Sequence, residues 1–141
     1  MSSILIFQSD DREYGVPAGS VYEIIKAEEC HFTQVPGAEG YIAGVISHRS
    51  EIMPVVDFRA RLGRPDVPSR GEQKIIVFHI EDMWIGLKVD SVSDMVKPNG
   101  EEAAECGRDT PGNEKPFVSG SFEHDGRAAD LLDLNALFMI G

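Results

Sequence analysis

Short apolar runs separated by polar turns follow one another along most of this chain. Each run is bounded by the Gly, Pro, Asp or Ser residues that favour turns. The predicted strands occupy residues 4–9, 13–16, 21–26, 42–47, 52–56, 73–80, 83–89 and 92–97. This pattern predicts a mainly β protein.

One hairpin is the clearest element of the pattern. The runs 42–47 and 52–56 flank the polar sequence Ser-His-Arg-Ser-Glu, which is typical of a chain reversal. Asp57 follows, and its short acceptor side chain is suited to cap a helix predicted over residues 58–62. Gly63 and Pro65 end that helix. The sequence thus predicts a hairpin with a short helix attached.

An internal repeat runs through the chain. Two shifts align it, one of 71 positions (75 − 4) and, further on, one of 76 positions (120 − 44). The matched pairs include Ile4 with Ile75, Gly15 with Gly86, Lys26 with Lys97, Gly44 with Gly120, His48 with His124 and Asp57 with Asp133. The five extra positions (76 − 71) fall in residues 98–116, a longer version of the loop 27–40. Residues 117–138 therefore form a second hairpin, with a C-terminal helix capped by Asp133.

Each copy is about one five-stranded unit, a size at which a lone hydrophobic core is marginal. We therefore expect the two copies to pack together and share apolar surface. Small β units avoid exposed edges by closing into barrels. The predicted fold is mainly β, with two five-stranded barrels from an internal duplication and short helices after Asp57 and at the C-terminus. We expect a single domain over 1–141, whose repeats, roughly 1–70 and 71–141, interleave in space.

Composition narrows the range of partners and compartments. The 141 residues carry a net charge of −11, which disfavours binding to nucleic acid phosphates or to an anionic membrane surface. The N-terminal apolar run covers only residues 4–7, and no stretch approaches the ~20 apolar residues that span a bilayer. Cys30 and Cys106 are too few for a disulfide framework. A reduced, cytoplasmic protein is expected.

Residues able to carry catalysis or to bind metal are scattered. The Cys and His residues lack the paired spacing of a zinc site. No nucleophile elbow, P-loop or dinucleotide fingerprint is present, so the sequence predicts no enzyme, cofactor or metal. A small β-barrel enzyme or metal protein using His48 and His124 is the alternative from another class. Duplication explains two histidines at equivalent positions more simply.

Two features suggest a binding surface instead. The tip Ser47-His48-Arg49-Ser50 is either an ordinary solvated turn or a recognition element, because arginine offers a rigid donor fork to a partner. Alternation along residues 21–24 leaves Val21 or Tyr22 partly exposed. Trp84 is predicted to lie in the core, with an interface anchor as the second interpretation.

Several motifs together cover nearly the whole chain. They are Glu13-Tyr14-Gly15-Val16, Val21-Tyr22-Glu23-Ile24, Ile42-Ala43-Gly44-Val45-Ile46, Arg49, Ile52-Met53-Pro54-Val55-Val56-Asp57, Ile85-Gly86-Leu87-Lys88-Val89-Asp90-Ser91-Val92-Ser93-Asp94 and Val118-Ser119-Gly120. In order and spacing they resemble the CheW family of bacterial chemotaxis adaptors. The resemblance implies two SH3-like barrels without catalytic activity. It implies a scaffold that couples the cytoplasmic tips of methyl-accepting chemoreceptors to the regulatory domain of a CheA-like histidine kinase, associated with membrane arrays only through these partners.

The resemblance also implies positions for the binding surface. On the first barrel these are Val21, Glu23 and the tip residues Ser47, His48, Arg49 and Ser50; on the second they are Ile75 and Val92. Gly44, Gly86 and Gly120 are expected to maintain the backbone near those surfaces. Family members commonly have Asn-Leu-Arg-Gly at the tip. The departure here leaves a divergent adaptor of a pilus-motility, surface-sensing or second-messenger pathway as an alternative.

Overall fold

Strands account for most of the described chain. The structure, a computed structural model, describes residues 3–64, 72–97, 112 and 114–139. Its elements are β1 Ile4–Ser9, β2 Arg12–Pro17, β3 Val21–Lys26, β4 Ile42–His48, β5 Glu51–Asp57, α1 Phe58–Arg61, β6 Lys74–Ile80, β7 Met83–Val89, β8 Ser91–Val96, β9 Val118–His124, β10 Arg127–Leu132 and α2 Leu134–Phe138. The predicted strands and helices are confirmed, with ends that move by a residue or two. The predicted loop 98–116 and Cys106 lie largely or wholly outside the described residues.

Both predicted helix caps are present. The Asp57 carboxylate accepts hydrogen bonds from the backbone N–H groups of Arg59 and Ala60, and the Asp133 carboxylate accepts one from Ala136. Each cap satisfies donors that the first turn of a helix leaves without partners. The equivalent residues of the two repeats therefore begin equivalent helices.

The chain divides into two compact units, each built on one five-stranded sheet. The central unit, Ser20–Ser91, has the strand order β3-β6-β7-β5-β4. The terminal unit comprises Met1–Gly19 and Val92–Gly141, and its order is β8-β1-β2-β10-β9. Each sheet combines strands of both repeats, and each contains one parallel pair, β5 with β7 or β10 with β2. That the whole chain forms a single domain stays a prediction.

The two SH3-like sheets agree with the predicted fold class, but the prediction of closed barrels is wrong. Each strand order ends at two edges, so the hydrogen-bonded ladder is open. Loop residues cover part of an edge instead. Thr33 and Val45 of β4 exchange two backbone hydrogen bonds of 2.9 Å, and the Gln34 side chain donates to the Ala43 carbonyl. An edge can thus be protected without the shear that barrel closure requires.

The cores of the two units correspond position by position. The core of the central unit contains Ile46, Met53, Val55, Ile75 and Val77, and the residues packed against it are Ile25, Ala27, Cys30, Phe32, Ala43 and Trp84. The core of the terminal unit contains Ile6, Phe122 and Ala129, with Ile4, Val96 and Leu131 packed against it. Shifts of 71 (for 4, 6 and 25) and 76 (for 46, 53 and 55) relate the five buried residues of the central core, and Ile25, to the six residues of the terminal set. The duplication is therefore preserved in the packing.

Two equivalent glycines lie close to an isoleucine side chain of the neighbouring strand. A Cβ atom on Gly15 would lie 2.7 Å from Ile4 Cγ2, and a Cβ on Gly86 would lie 2.8 Å from Ile75 Cγ2. Both distances are shorter than side chains tolerate without displacement. The same pair of residue types thus sets the same strand contact in both units.

Candidate functional site

The β4–β5 turn contains Arg49 and Ser50 at two positions whose backbone conformation favours Asn, Asp or Gly. Arg49 and Ser50 have φ values of 51° and 68°, and the equivalent Asp125 and Gly126 have values of 50° and 75°. A two-residue hairpin loop with both φ angles positive favours Asn-Gly or Asp-Gly. The terminal unit has the favoured Asp-Gly. The central unit keeps the same turn at the cost of holding two ordinary L residues in the left-handed region.

The Glu23 carboxylate on β3 contacts two side chains of this hairpin tip, His48 and Arg49. Its Oε1 lies 2.9 Å from Arg49 Nε and 3.0 Å from His48 Nε2, and its Oε2 accepts a 3.1 Å hydrogen bond from Arg49 Nη2. The arginine is therefore bound bidentately, the geometry that suits a guanidinium and a carboxylate. Because β3 and β4 are the two edges of the central sheet, these side chains bridge the opening that the ladder leaves.

Hydrogen bonding keeps the Glu23 carboxylate and the Arg49 guanidinium ionised. Hydrogen bonds from Arg49 and then from His48 lower the pKa of Glu23 to about 2. The hydrogen bond to Glu23 in turn raises the pKa of Arg49. The Arg49 side chain nevertheless remains 63% exposed, against 25% for Glu23. The arrangement therefore fixes a charged guanidinium at the surface in one orientation.

The other predicted contact residues fall into three groups. Ser47 and Ser50 are exposed beside the tip, and Val21 is half-buried on β3 next to Glu23 in sequence. Val92 is half-buried on β8 of the terminal unit, at the position equivalent to Val21 (21 + 71). Ile75 was predicted to lie on the second barrel, but it belongs to the central unit. Its side chain is 0% exposed in the core of that unit. This burial contradicts the prediction that Ile75 contacts a partner, because its side chain is a member of the central core and does not reach the surface.

Of the three predicted structural glycines, Gly44 and Gly86 occupy positions that leave no room for a side chain. Gly44 has a φ of +148°, and a Cβ there would lie 3.0 Å from the Thr33 carbonyl oxygen. Gly86 approaches Ile75 as described above. Gly120 is buried in β9 and pairs with Leu131.

An aromatic cluster lies on the central unit. The Tyr22 ring meets the Trp84 ring edge to face at 4.6 Å, and the His79 ring stacks on Trp84 at 4.1 Å with an interplanar angle of 11°. Trp84 is half-buried and packs against the core of the central unit, so it lies at the margin of that core. Tyr22 and His79 are both exposed, Tyr22 at 56%. Val21 is half-buried, so Tyr22 is the more exposed of the two residues between which the sequence left the choice open. A strand pattern predicts alternation but not which aromatic rings meet.

A second polar cluster, in the terminal unit, was not predicted. Glu13 Oε1 lies 2.7 Å from His124 Nε2, and both side chains are only 8% exposed. Arg127 Nε lies 3.4 Å from the other Glu13 oxygen, and Arg12 donates to Asp130 at 3.1 Å. The parallel pairing of β2 with β10 brings these residues together. The histidine repeat was the available signal, but no sequence pattern gives that long-range pairing.

The described ranges also show how the Cys, His, Asp and Glu side chains are distributed and how long and apolar the helices are. Across residues 3–64, 72–97, 112 and 114–139, no three Cys, His, Asp or Glu side chains gather closely enough to hold a metal ion. His48 and His124 each direct Nε2 to a glutamate of their own unit. Within the same ranges, no helix has the length and apolar character needed to cross a bilayer.

Comparison with known proteins identifies relatives over nearly the whole chain. Chemotaxis protein CheW of Bacillus subtilis is 28% identical over 134 residues, which cover 95% of this chain and 85% of that protein. Protein PilI of Pseudomonas aeruginosa is 28% identical over 119 residues, covering 84% and 66%. The crystal structure of the scaffolding protein TtCheW from Thermoanaerobacter tengcongensis has the same fold, with a TM-score of 0.87, 24% identity and coverage of 99% and 94%. A family model for the CheW-like domain matches residues 3–140, and the chain therefore belongs to the CheW-like family.

Proposed function

We propose that this chain is a non-catalytic adaptor that couples the cytoplasmic tips of chemoreceptors to a CheA-like histidine kinase. Its membership of the CheW-like family over residues 3–140 carries the proposal. The partners are the regulatory domain of the kinase and the helical tip of a methyl-accepting receptor, without nucleic acid and without insertion into the membrane. The protein acts in the cytoplasm and reaches membrane receptor arrays through these partners.

The contact with the kinase is assigned to the bridge of Glu23, His48 and Arg49. Holding Arg49 at positive φ costs backbone energy, and strained residues cluster at functional sites. Glu23 fixes the guanidinium in one orientation, so less side-chain entropy is lost when a partner binds. Ile52, 75% exposed beside the tip, adds an apolar surface of the kind that protein interfaces bury.

The remaining assigned contacts flank this bridge or repeat its position. Val21 lies on β3 and Ser47 on β4, the two edge strands, and Ser50 follows Arg49 in the β4–β5 turn. Val92 occupies the equivalent edge of the terminal unit and is assigned to a partner contact there. Arginine bound to a carboxylate on its own chain still offers a charge to the rim of an interface, where charged groups govern orientation and association rate.

Size-exclusion chromatography with the cognate kinase tests the assigned surface. Val21→Asp and Arg49→Glu are expected to abolish co-elution of the two proteins. Arg127→Glu is a matched control, because Arg127 is also an exposed arginine that pairs with a glutamate beside a hairpin tip. Its complex should persist. Co-elution that survives both Val21→Asp and Arg49→Glu would contradict the assignment.

A second candidate is an adaptor of the same type in a pathway other than chemotaxis, such as pilus motility, surface sensing or second-messenger control. The relative named Protein PilI, similar over 84% of this chain, supports this candidate. Co-purification from native cells separates the two, because each predicts a different kinase and receptor in the isolated complex.

A further inference from the structure

Beside the bridge of Glu23, His48 and Arg49, the aromatic cluster of Tyr22, Trp84 and His79 presents a projecting ring. Val21 pairs with Phe78 and Glu23 with Val77, so Tyr22 is the extra residue of a β-bulge. Bulges change the direction of a side chain relative to the regular alternation of a strand. The bulge directs Tyr22 toward Trp84, and the edge-to-face contact of 4.6 Å holds the ring while leaving 56% of the residue exposed.

We propose that Tyr22 is an anchor residue of the kinase contact, positioned by Trp84, and that it enters an apolar pocket rimmed by Lys or Arg on the regulatory domain of the kinase. This inference rests on the proposed function and adds a specificity residue to it. Tyrosine held in a single rotamer contributes a large contact area at low entropic cost, which is why it is common among interface hot spots.

Charge and shape favour this occupant over the alternatives. The β6–β7 turn next to Trp84 carries the exposed carboxylates Glu81 and Asp82, so a basic rim is complementary. A second copy of this chain, with its own net charge of −11, would be repelled. A receptor helix requires an apolar groove to lie in, whereas Tyr22 projects from an edge strand.

The terminal unit supplies a matched control. The position equivalent to Tyr22 is Ser93 (22 + 71), whose hydroxyl donates to the Ile6 carbonyl. Met95, equivalent to Ile24 (24 + 71), is 55% exposed on the edge strand β8. Truncation of Met95 therefore removes an apolar side chain about as exposed as Tyr22, but from the equivalent edge strand of the terminal unit.

Binding of the full chain to the intact kinase, measured by titration calorimetry, tests the proposal. We expect Tyr22→Ala to raise Kd about tenfold or more, and Met95→Ala to change it by less than about twofold. Tyr22→Phe should stay within about threefold of the wild type, because the ring and not the hydroxyl fills the pocket. Glu81→Lys should slow association and weaken its salt dependence. Circular dichroism melting curves establish that each variant is folded.

Two further measurements test whether Trp84 acts by holding the Tyr22 ring in place. Trp84→Ala should weaken binding in the wild-type background but add little to Tyr22→Ala, whereas a purely structural effect would be the same in both backgrounds. Trp84 is the only tryptophan, so protein labelled with 5-fluorotryptophan gives one fluorine NMR resonance, expected to shift when the kinase is added.

The failures are distinguishable. Tyr22→Ala binding within about twofold of the wild type, while Arg49→Glu does not bind, would overturn the anchor and leave the adaptor proposal standing. Absence of wild-type binding to the kinase would overturn both. Self-association in analytical ultracentrifugation that Tyr22→Ala abolishes would identify a second copy as the occupant and overturn the kinase pocket.

Discussion

In the central unit the carboxylate that receives the hairpin histidine comes from an edge strand, whereas in the terminal unit it comes from an inner strand. His48 is bound by Glu23 of β3, and His124 is bound by Glu13 of β2. The first pair is about one quarter exposed, and the second is 8% exposed. Equivalent histidines thus serve a surface bridge in one unit and an interior contact in the other.

The two units also differ at the position that Glu13 occupies in the terminal unit and at the residue paired with it across the strands. The residue equivalent to Glu13 is Trp84 (13 + 71), and the residue equivalent to Gln8 is His79 (8 + 71). Gln8 donates to Glu13 at 3.3 Å, while His79 stacks on Trp84 at 4.1 Å across the same pair of strands. One cross-strand position is therefore polar and internal in the terminal unit, and aromatic and partly exposed in the central unit. The buried core positions are thus matched in the two units, whereas this cross-strand position differs.

The largest predicted effect tests how the equivalent cores are filled. Phe122 pairs with Ala129 in the terminal unit, and Ile46 pairs with Met53 in the central unit. Phe122→Ala should lower the free energy of unfolding by about 4 kcal/mol, because it leaves a cavity in a buried core. Urea denaturation measures this loss.

The matched double variant decides whether the two cores are interchangeable. Ala129→Met alone should cost about 2 kcal/mol through overpacking. Combined with Phe122→Ile it should cost less than the sum of the two single changes, since the pair then copies the central unit. Losses that simply add would show that the surrounding packing, and not this pair, differs between the units.

The buried glutamate should matter more for stability than the exposed one. Glu13 is bound by His124, Arg127 and Gln8 in a site with little solvent, so Glu13→Ala should cost about 2 kcal/mol by leaving these donors without their acceptor. Glu23→Ala should cost clearly less, because solvent screens an exposed ion pair. The free energies of unfolding of the two variants at neutral pH provide the comparison. Equal losses would contradict the expectation that the more buried glutamate contributes more to stability.

The smallest effect concerns pH. The pKa of Glu23 is about 2 in the folded chain, below its ordinary value of 4.5. A depressed carboxyl pKa stabilises the fold above the ordinary pKa, and this contribution disappears as pH falls from about 4.5 toward 2. The difference in stability between wild type and Glu23→Gln should therefore be present at pH 7 and shrink in that window. A difference that is constant from pH 7 to pH 3 would contradict the ionised bridge.

Local pattern predicted the strands, both Asp caps and the equivalence of the repeats, because these features depend on neighbouring residues. Features that depend on contacts between distant parts of the chain could not be predicted from local sequence pattern. The resemblance placed Ile75 at a partner-binding position, yet its side chain packs in the core of the central unit and is 0% exposed. The contact of Glu13 with His124 requires the parallel pairing of β2 with β10. The bulge at Tyr22 is a local irregularity that alternation does not reveal.

Amide NMR mapping of the intact kinase onto the isotope-labelled chain tests most directly whether only one of the two equivalent hairpin tips is a recognition element. The comparison is internal, because residues 47–50 and 123–126 are observed in the same spectrum. The predicted result is line broadening or shifts at Glu23, His48 and Arg49, with residues 123–126 unchanged. Perturbation confined to 123–126, or equal at both tips, would contradict it.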